Sequence, residues 1–239
     1  MNREYHRWYS PRLGRDMELL VFGHQGEPVI LFPSSFGRFW LNEDMGMIGA
    51  IGEKIRAGRY MVFCVDNVDT ESWANRNAHP HDRVLRHEQY ESYIVEEVVP
   101  FARSRASPGR LTAAGPSFGG FLAGIIGLRH PWTFERVLTL SAIFETERWL
   151  DGYHDLRVYF HSPLQWVSNL HDPVFIQQAQ RQEIILAIAE HDHHPCIDST
   201  SRLSEKLWAK GIGNHLTSWN GYHHDWPVWR LQFNHYLPW

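Results

Sequence analysis

Short apolar runs alternate with longer stretches of helical spacing along most of the chain, a rhythm that predicts a layered α/β protein. Residues 4–9 and 17–22 flank the turn-rich Ser10-Pro11-Arg12-Leu13-Gly14 and read as a hairpin, and 28–32 follows as a short buried strand. Residues 42–57 carry Met45, Met47, Ile48, Ile51 and Ile55 at helical spacing, and 59–65 is another apolar strand. From 81 to 103 a stripe of Val84, Leu85, Tyr90, Tyr93, Ile94 and Val98 predicts the longest helix, kinked or ended at Pro100. Strands at 110–114, 136–141, 182–189 and 215–219, with helices at 118–128 and 200–209, continue the alternation. Such a pattern implies a mostly parallel sheet covered on both faces, with an antiparallel hairpin at its start. One domain is expected over 1–239, and between 144 and 180 the periodicity dissolves into aromatics and histidines, an excursion expected over the top of the sheet.

Composition narrows the class without naming the chemistry. A 43% apolar and 21% charged share suits a soluble globular core, and no apolar run approaches the ~18 residues of a membrane span. The opening Met1-Asn2-Arg3-Glu4-Tyr5-His6-Arg7-Trp8 lacks the apolar core and small-residue cleavage site of a secretory signal, so the cytoplasm is the expected compartment, without membrane insertion. A formal net charge of -4 offers no electrostatic footprint for nucleic acid, which leaves a small neutral molecule as the expected partner. Cys64 and Cys196 stand far apart outside any C-x-x-C pattern, so neither a disulfide framework nor a thiolate zinc site is expected. Cys64, inside an apolar run, is expected in the core.

The chemistry concentrates in Ala113-Ala114-Gly115-Pro116-Ser117-Phe118-Gly119-Gly120. A serine displayed on a sharp strand-to-helix turn needs small residues two before and two after it, so that strand and helix can approach, and Gly115 and Gly119 supply that space. The bland alternative is a glycine-rich turn whose serine caps the next helix. A serine hydroxyl becomes a nucleophile only when a base takes its proton, and the base needs a buried acid to orient it. Where a serine sits on such a turn, the acid and then the histidine follow later strands. Glu190-His191-Asp192 follows the strand at 182–189, and Asn220-Gly221-Tyr222-His223-His224-Asp225-Trp226 follows the one at 215–219. Two carboxylates and two histidines therefore stand where acid and base belong, and position alone does not choose within either pair.

Gly115-Pro116-Ser117-Phe118-Gly119-Gly120, the Ala189-Glu190-His191-Asp192 segment and the ending His224-Asp225-Trp226-Pro227-Val228-Trp229 together resemble the serine esterase family that includes esterase D and the antigen 85 mycolyltransferases. Phe32-Pro33-Ser34-Ser35-Phe36-Gly37 and Asp69-Thr70-Glu71-Ser72-Trp73 extend the likeness over most of the chain. The resemblance implies an α/β-hydrolase fold, a three-layer sandwich, and cleavage of carboxylic esters of small or medium acyl groups through an acyl-enzyme. It implies Ser117 as nucleophile and His224, directly before Asp225-Trp226, as base. Ala189 stands at the glycine of the family's Gly-Glu-x-Asp segment, which puts Asp192 at the usual acid position with Glu190 as its substitute. The backbone N–H groups of Phe118 and Ser35 are implied as the oxyanion hole, with Ser34 one residue away as the alternative. The same machinery serves acyl transfer or thioester hydrolysis.

No cofactor and no metal are called for. His191-Asp192-His193-His194 with His223-His224 offers a rival, a hydrolytic metal centre, but its order and spacing do not match the H-x-H-x-D-H pattern of metallo-hydrolases. A rival of another class is a binding protein that keeps the fold without turnover, against which the full set of serine, acid and histidine speaks. Trp149, Trp166, Trp226 and Trp229 are candidates for an aromatic pocket wall as well as for the core. Residues 69–77, past the carboxyl end of a strand, are expected to border the pocket, and His130-Pro131 to end the helix after Ser117. Assembly into a homo-oligomer is left open.

Overall fold

A computed structural model describes residues 1–239. Its strands are Arg3–Ser10 (β1), Arg15–Phe22 (β2), Glu27–Leu31 (β3), Tyr60–Val65 (β4), Thr112–Pro116 (β5), Arg136–Leu140 (β6), Glu183–His191 (β7) and His215–His223 (β8). They form one eight-stranded sheet in the order β1-β2-β4-β3-β5-β6-β7-β8. β2 pairs antiparallel with both β1 and β4, and every pairing from β4 onward to β8 is parallel. The helices are Leu41–Asp44 (α1), Met47–Ala50 (α2), Gly52–Arg56 (α3), Pro80–Tyr93 (α4), Val99–Arg105 (α5), Phe118–Arg129 (α6), Leu156–Phe160 (α7), Pro163–Trp166 (α8), Pro173–Ala179 (α9), His194–Ala209 (α10) and Trp226–Tyr236 (α11).

Strand alternation divides the apolar residues between two layers of helix. Val29 and Leu31 point into a core shared with Met47, Ile48, Ile51, Ile55, Val228 and Phe233, whereas Ile30 and Phe32 join Tyr90, Phe121, Leu122 and Leu203 on the other face. β4, β5 and β6 are buried at every residue, as strands covered on both faces must be, while the edge strand β1 alternates exposed and half-covered positions. The expected three-layer arrangement with an N-terminal hairpin is therefore the one observed.

Several elements differ from the pattern read in the sequence, each for a local reason. The single helix expected over 42–57 is three short turns, because Gly46 takes a left-handed φ of 76° between the first two. Met47, Ile48, Ile51 and Ile55 still face one core, so the apolar period survives the break. Pro100 does not end its helix. It sits in the first turn of α5, where a missing N–H is tolerated, and one π-helical turn, Ile94–Val98, joins α4 to α5. β7 and β8 run two and four residues past their apolar stretches, because His191 pairs with His223 beyond a bulge at Ala189. α10 begins at His194, earlier than expected, with Pro195 in its first turn, and α11 has no counterpart among the expected elements. The 144–180 excursion holds a 3-10 turn, Thr146–Trp149, followed by α7, α8 and α9. No helix is long and apolar enough to cross a membrane.

Candidate active site

β5 delivers Ser117 to the carboxyl edge of the sheet, where α6 starts. The serine has φ 54° and ψ -118°, a strained backbone that turns its side chain outward from the junction. Its amide donates to the Leu140 carbonyl (2.7 Å) and its carbonyl accepts from Phe121 (3.0 Å), which anchors the turn on both sides. Small neighbours are obligatory: a Cβ on Gly115 would lie 2.5 Å from the Gly119 carbonyl carbon, and one on Gly119 would lie 2.5 Å from the Phe32 carbonyl oxygen. The helix-cap alternative is not seen, since the Ser117 side chain makes no capping bond.

The ends of β7 and β8 bring the other two groups to the serine. His224 Nε2 is 3.0 Å from Ser117 Oγ, and His224 Nδ1 is 2.6 Å from Asp192 Oδ1. Asp192 Oδ2 accepts from the Ala189 amide (2.8 Å), so the carboxylate spans the β7 bulge and is fixed by it. Burial pushes the Asp192 carboxyl up, but His224, the Ala189 amide and the Ser141 hydroxyl outweigh it and hold the group below the usual carboxylate range. Glu190 is the other carboxylate of this segment; its side chain is 49% exposed, and it accepts from the Gly221 amide (2.7 Å) rather than from an imidazole. His223 stacks on His191 at 4.9 Å between ring centres, away from the serine.

Four further groups surround the triad, of which Ser141 carries no signal in the sequence. Ser141, at φ 54° beyond β6, is buried and accepts from Trp229 Nε1 (2.9 Å) while its hydroxyl faces Asp192. Trp229 also meets the His224 ring edge-on at 4.9 Å, and His193 lies against the same ring at 4.7 Å. Cys196 Sγ is 3.7 Å from His224 Nδ1, and burial pushes its thiol up to about 12, so it is a neutral neighbour. Nothing marks Ser141 in the sequence, because a serine after an apolar run is commonplace; Trp229 is marked there as an aromatic and as the end of the family-like segment, without its contact to the imidazole.

The Phe118 and Ser35 amides have no acceptor within the protein, and both residues line a cavity of about 50 Å³ against Ser117. Phe121, Ile143 and Trp149 form its remaining wall. Ser34 is turned into a tight loop, its carbonyl accepting from Gly37 (3.0 Å). Phe36, at φ 58°, donates its amide to the buried Asp69 carboxylate, which also accepts from Thr70 (2.9 Å). Burial pushes the Asp69 carboxyl up, with the two amides opposing that shift. Residues 69–77 do not line this cavity but support it from behind, Asp69 through the Phe36 amide and Trp73 by packing on Phe121 and Trp149.

Of the tryptophans singled out, Trp149 walls the cavity and Trp229 backs the imidazole, whereas Trp226 packs on Trp229 and Trp166 lies against Phe175 in the excursion, apart from Ser117. His191, His193 and His194 do not converge: His191 ends β7, His193 precedes α10 and His194 begins it. Of the rival metal cluster, only Asp192 and His224 share a compact donor group, with Cys196 as its third member, and His224 there is engaged between Asp192 and Ser117. α6 ends at Arg129, just before His130-Pro131.

A serine at a strand-to-helix turn, with a histidine and a carboxylate from the ends of later parallel strands, defines a serine hydrolase of the α/β-hydrolase fold. Residues 10–239 match the family described as "Putative esterase", and the chain belongs to that family. No curated protein sequence matches the chain. Among solved structures, a ferulic acid esterase superposes with a TM-score of 0.77 at 17% identity, over 99% of this chain and 96% of its own. An S-formylglutathione hydrolase from Agrobacterium tumefaciens gives 0.75 at 17%, over 98% and 92%, and MPT51 of Mycobacterium tuberculosis gives 0.73 at 15%, over 99% and 96%. The family resemblance read from the sequence holds, and the chain is a carboxylesterase-type serine hydrolase.

Proposed function

We propose that the enzyme cleaves carboxylic esters of short acyl chains through an acyl-enzyme on Ser117. His224 Nε2 takes the serine proton as Oγ attacks the carbonyl carbon, and Asp192 holds the imidazole and stabilises the imidazolium that forms. The negative charge on the former carbonyl oxygen is received by the Phe118 and Ser35 amides, where each such donor is worth roughly 10²–10³ in rate. The imidazolium then gives its proton to the departing alcohol, and a water deprotonated by His224 releases the acid. The observation that carries this reading is the unbroken path from Ser117 Oγ to His224 (3.0 Å) to Asp192 (2.6 Å).

The aromatic cavity supports a short acyl group. Its volume of about 50 Å³ is on the scale of an acetyl group, well below the ~150 Å³ that admits benzene. Both cysteines are free and buried, which suits a reducing cytoplasm. A series of p-nitrophenyl esters with a fluorophosphonate probe tests the reading. Acetyl ester should be turned over fastest, with kcat/KM falling about tenfold or more by hexanoyl, and the probe should label Ser117. Turnover of acetyl ester that is unchanged in Ser117→Ala would sink the proposal; a preference for long chains would sink its acyl-length part.

A further inference from the structure

Away from Ser117, three side chains of the deep interior turn polar atoms toward one point between α4 and the end of α7. His87 and Glu91 lie one turn apart on the same face of α4, and His161 follows α7. His87 and His161 are each 1% exposed and Glu91 is 4% exposed. One ligand atom from each lies within 4.8 Å of the other two: Glu91 Oε2 is 3.1 Å from His161 Nε2 and 3.9 Å from His87 Nε2.

The hydrogen bonds around these groups fix what each atom has left to offer. His161 Nδ1 donates to the Arg157 carbonyl (2.8 Å), an acceptor only, which leaves Nε2 facing Glu91 Oε2 as a hydrogen-bond donor when it carries a proton and as a metal ligand when it does not. Glu91 Oε1 accepts from Arg129 Nε (3.0 Å) and faces His130 Nε2 (2.6 Å), which leaves Oε2 for the two histidines. His87 Nε2 is buried with no hydrogen-bond partner, held between Trp73 and His161. A second proton on His161 would join it to Glu91 and still leave His87 Nε2 orphaned in the interior. A divalent cation engages all three.

The geometry suits such an ion. Ligands at 2.0–2.2 Å in a tetrahedral shell stand about 3.3–3.6 Å apart, between the 3.1 and 3.9 Å of Glu91 Oε2 to the two imidazoles. Arg129 with His130 grips the outer oxygen of Glu91, as ligating carboxylates are commonly held. We propose that His87, Glu91 and His161 bind one divalent transition-metal ion, zinc by donor set, as a clamp between α4 and the 144–180 excursion. Two imidazoles and one carboxylate in a closed interior favour this ion over the hard cations. The clamp steadies the active-site wall indirectly, since His87 packs on Trp73 and Trp73 on Trp149. It departs from the absence of metal expected from the sequence, and it does not depend on the esterase mechanism.

Protein purified without metal-affinity resin and stripped by chelator is titrated with CoCl2 and ZnCl2. The expected result is one cobalt per chain with the visible absorption of four- or five-coordinate nitrogen and oxygen ligation, displaced by one equivalent of zinc. Zinc should raise Tm by about 5 °C or more. His87→Gln and His161→Gln should abolish both signals, while His191→Ala and Cys196→Ala keep them. The proposal is overturned by a weak octahedral cobalt spectrum, by a near-ultraviolet thiolate band placing cobalt on Cys196, or by binding that persists in His87→Gln. Should the glutamine variants not fold, the stoichiometry and spectrum of the wild-type protein decide alone.

Discussion

Two clusters in this molecule pair histidine with carboxylate, and they differ in which way the imidazole faces. At the edge of the sheet, His224 turns Nδ1 to Asp192 and Nε2 to the Ser117 hydroxyl, so the ring stands between acid and serine. Beneath α4, His161 gives Nδ1 to a backbone carbonyl and turns Nε2 to Glu91, with a second unpartnered imidazole beside it. The same residue types thus stand in series in one place and converge on a single point in the other. Partner geometry decides the chemistry.

Exchange of roles would break that contrast, and the largest effects should separate the two regions cleanly. Ser117→Ala and His224→Ala are expected to lower kcat/KM for p-nitrophenyl acetate by about 10⁴-fold or more, with Tm little changed. His161→Gln should do the reverse, lowering Tm while fluorophosphonate labelling of Ser117 stays within about threefold, as expected of a group that supports packing without touching substrate. Asp192→Asn comes next, at about 10³–10⁴-fold in kcat, whereas Glu190→Gln should remain within about threefold because its carboxylate meets a backbone amide and solvent. Equal losses in the two variants would return the acid role to Glu190.

Acid pH sharpens the same point. Because the folded-state value of Asp192 lies below its unfolded value of ~3.9, its ionisation contributes stability that is complete above that value and is lost as pH falls through the lower folded one. The Tm advantage of wild type over Asp192→Asn should therefore shrink as pH is lowered below about 4, as thermal melts across that range would show. A smaller effect is expected from Asp69→Ala, which releases the Phe36 amide and lets the Ser35 amide drift: kcat should fall about ten- to hundredfold with KM nearly unchanged. Smallest is Ser141→Ala, with a loss in kcat of a few fold at most, since Asp192 keeps its bonds to His224 and Ala189.

The sheet and the serine turn were legible because both rest on local signals. Apolar runs mark the buried strands, and the glycines at 115 and 119 mark a turn that excludes any Cβ. Asp192 and His224 were legible through their order after late strands and the family-like segments around them. Ser141, Asp69 and the His87–Glu91–His161 group were not, because long-range contacts bring them together. The packing of α7 against α4 carries His161 to its partners. The ends of β7 and β8 escaped for a related reason: His191 and His223 pair by backbone bonds, to which the polarity of their side chains gives no clue.

The central claim, that Ser117 is acylated under general-base activation by His224, is tested most directly by a rapid-quench reaction with p-nitrophenyl acetate followed by peptide mass spectrometry. A burst of about one nitrophenol per chain, with the acetyl group on the peptide holding Ser117 and no burst in Ser117→Ala or His224→Ala, is the predicted result. An acetyl group on Cys196 or another residue, or an undiminished burst in Ser117→Ala, would contradict it.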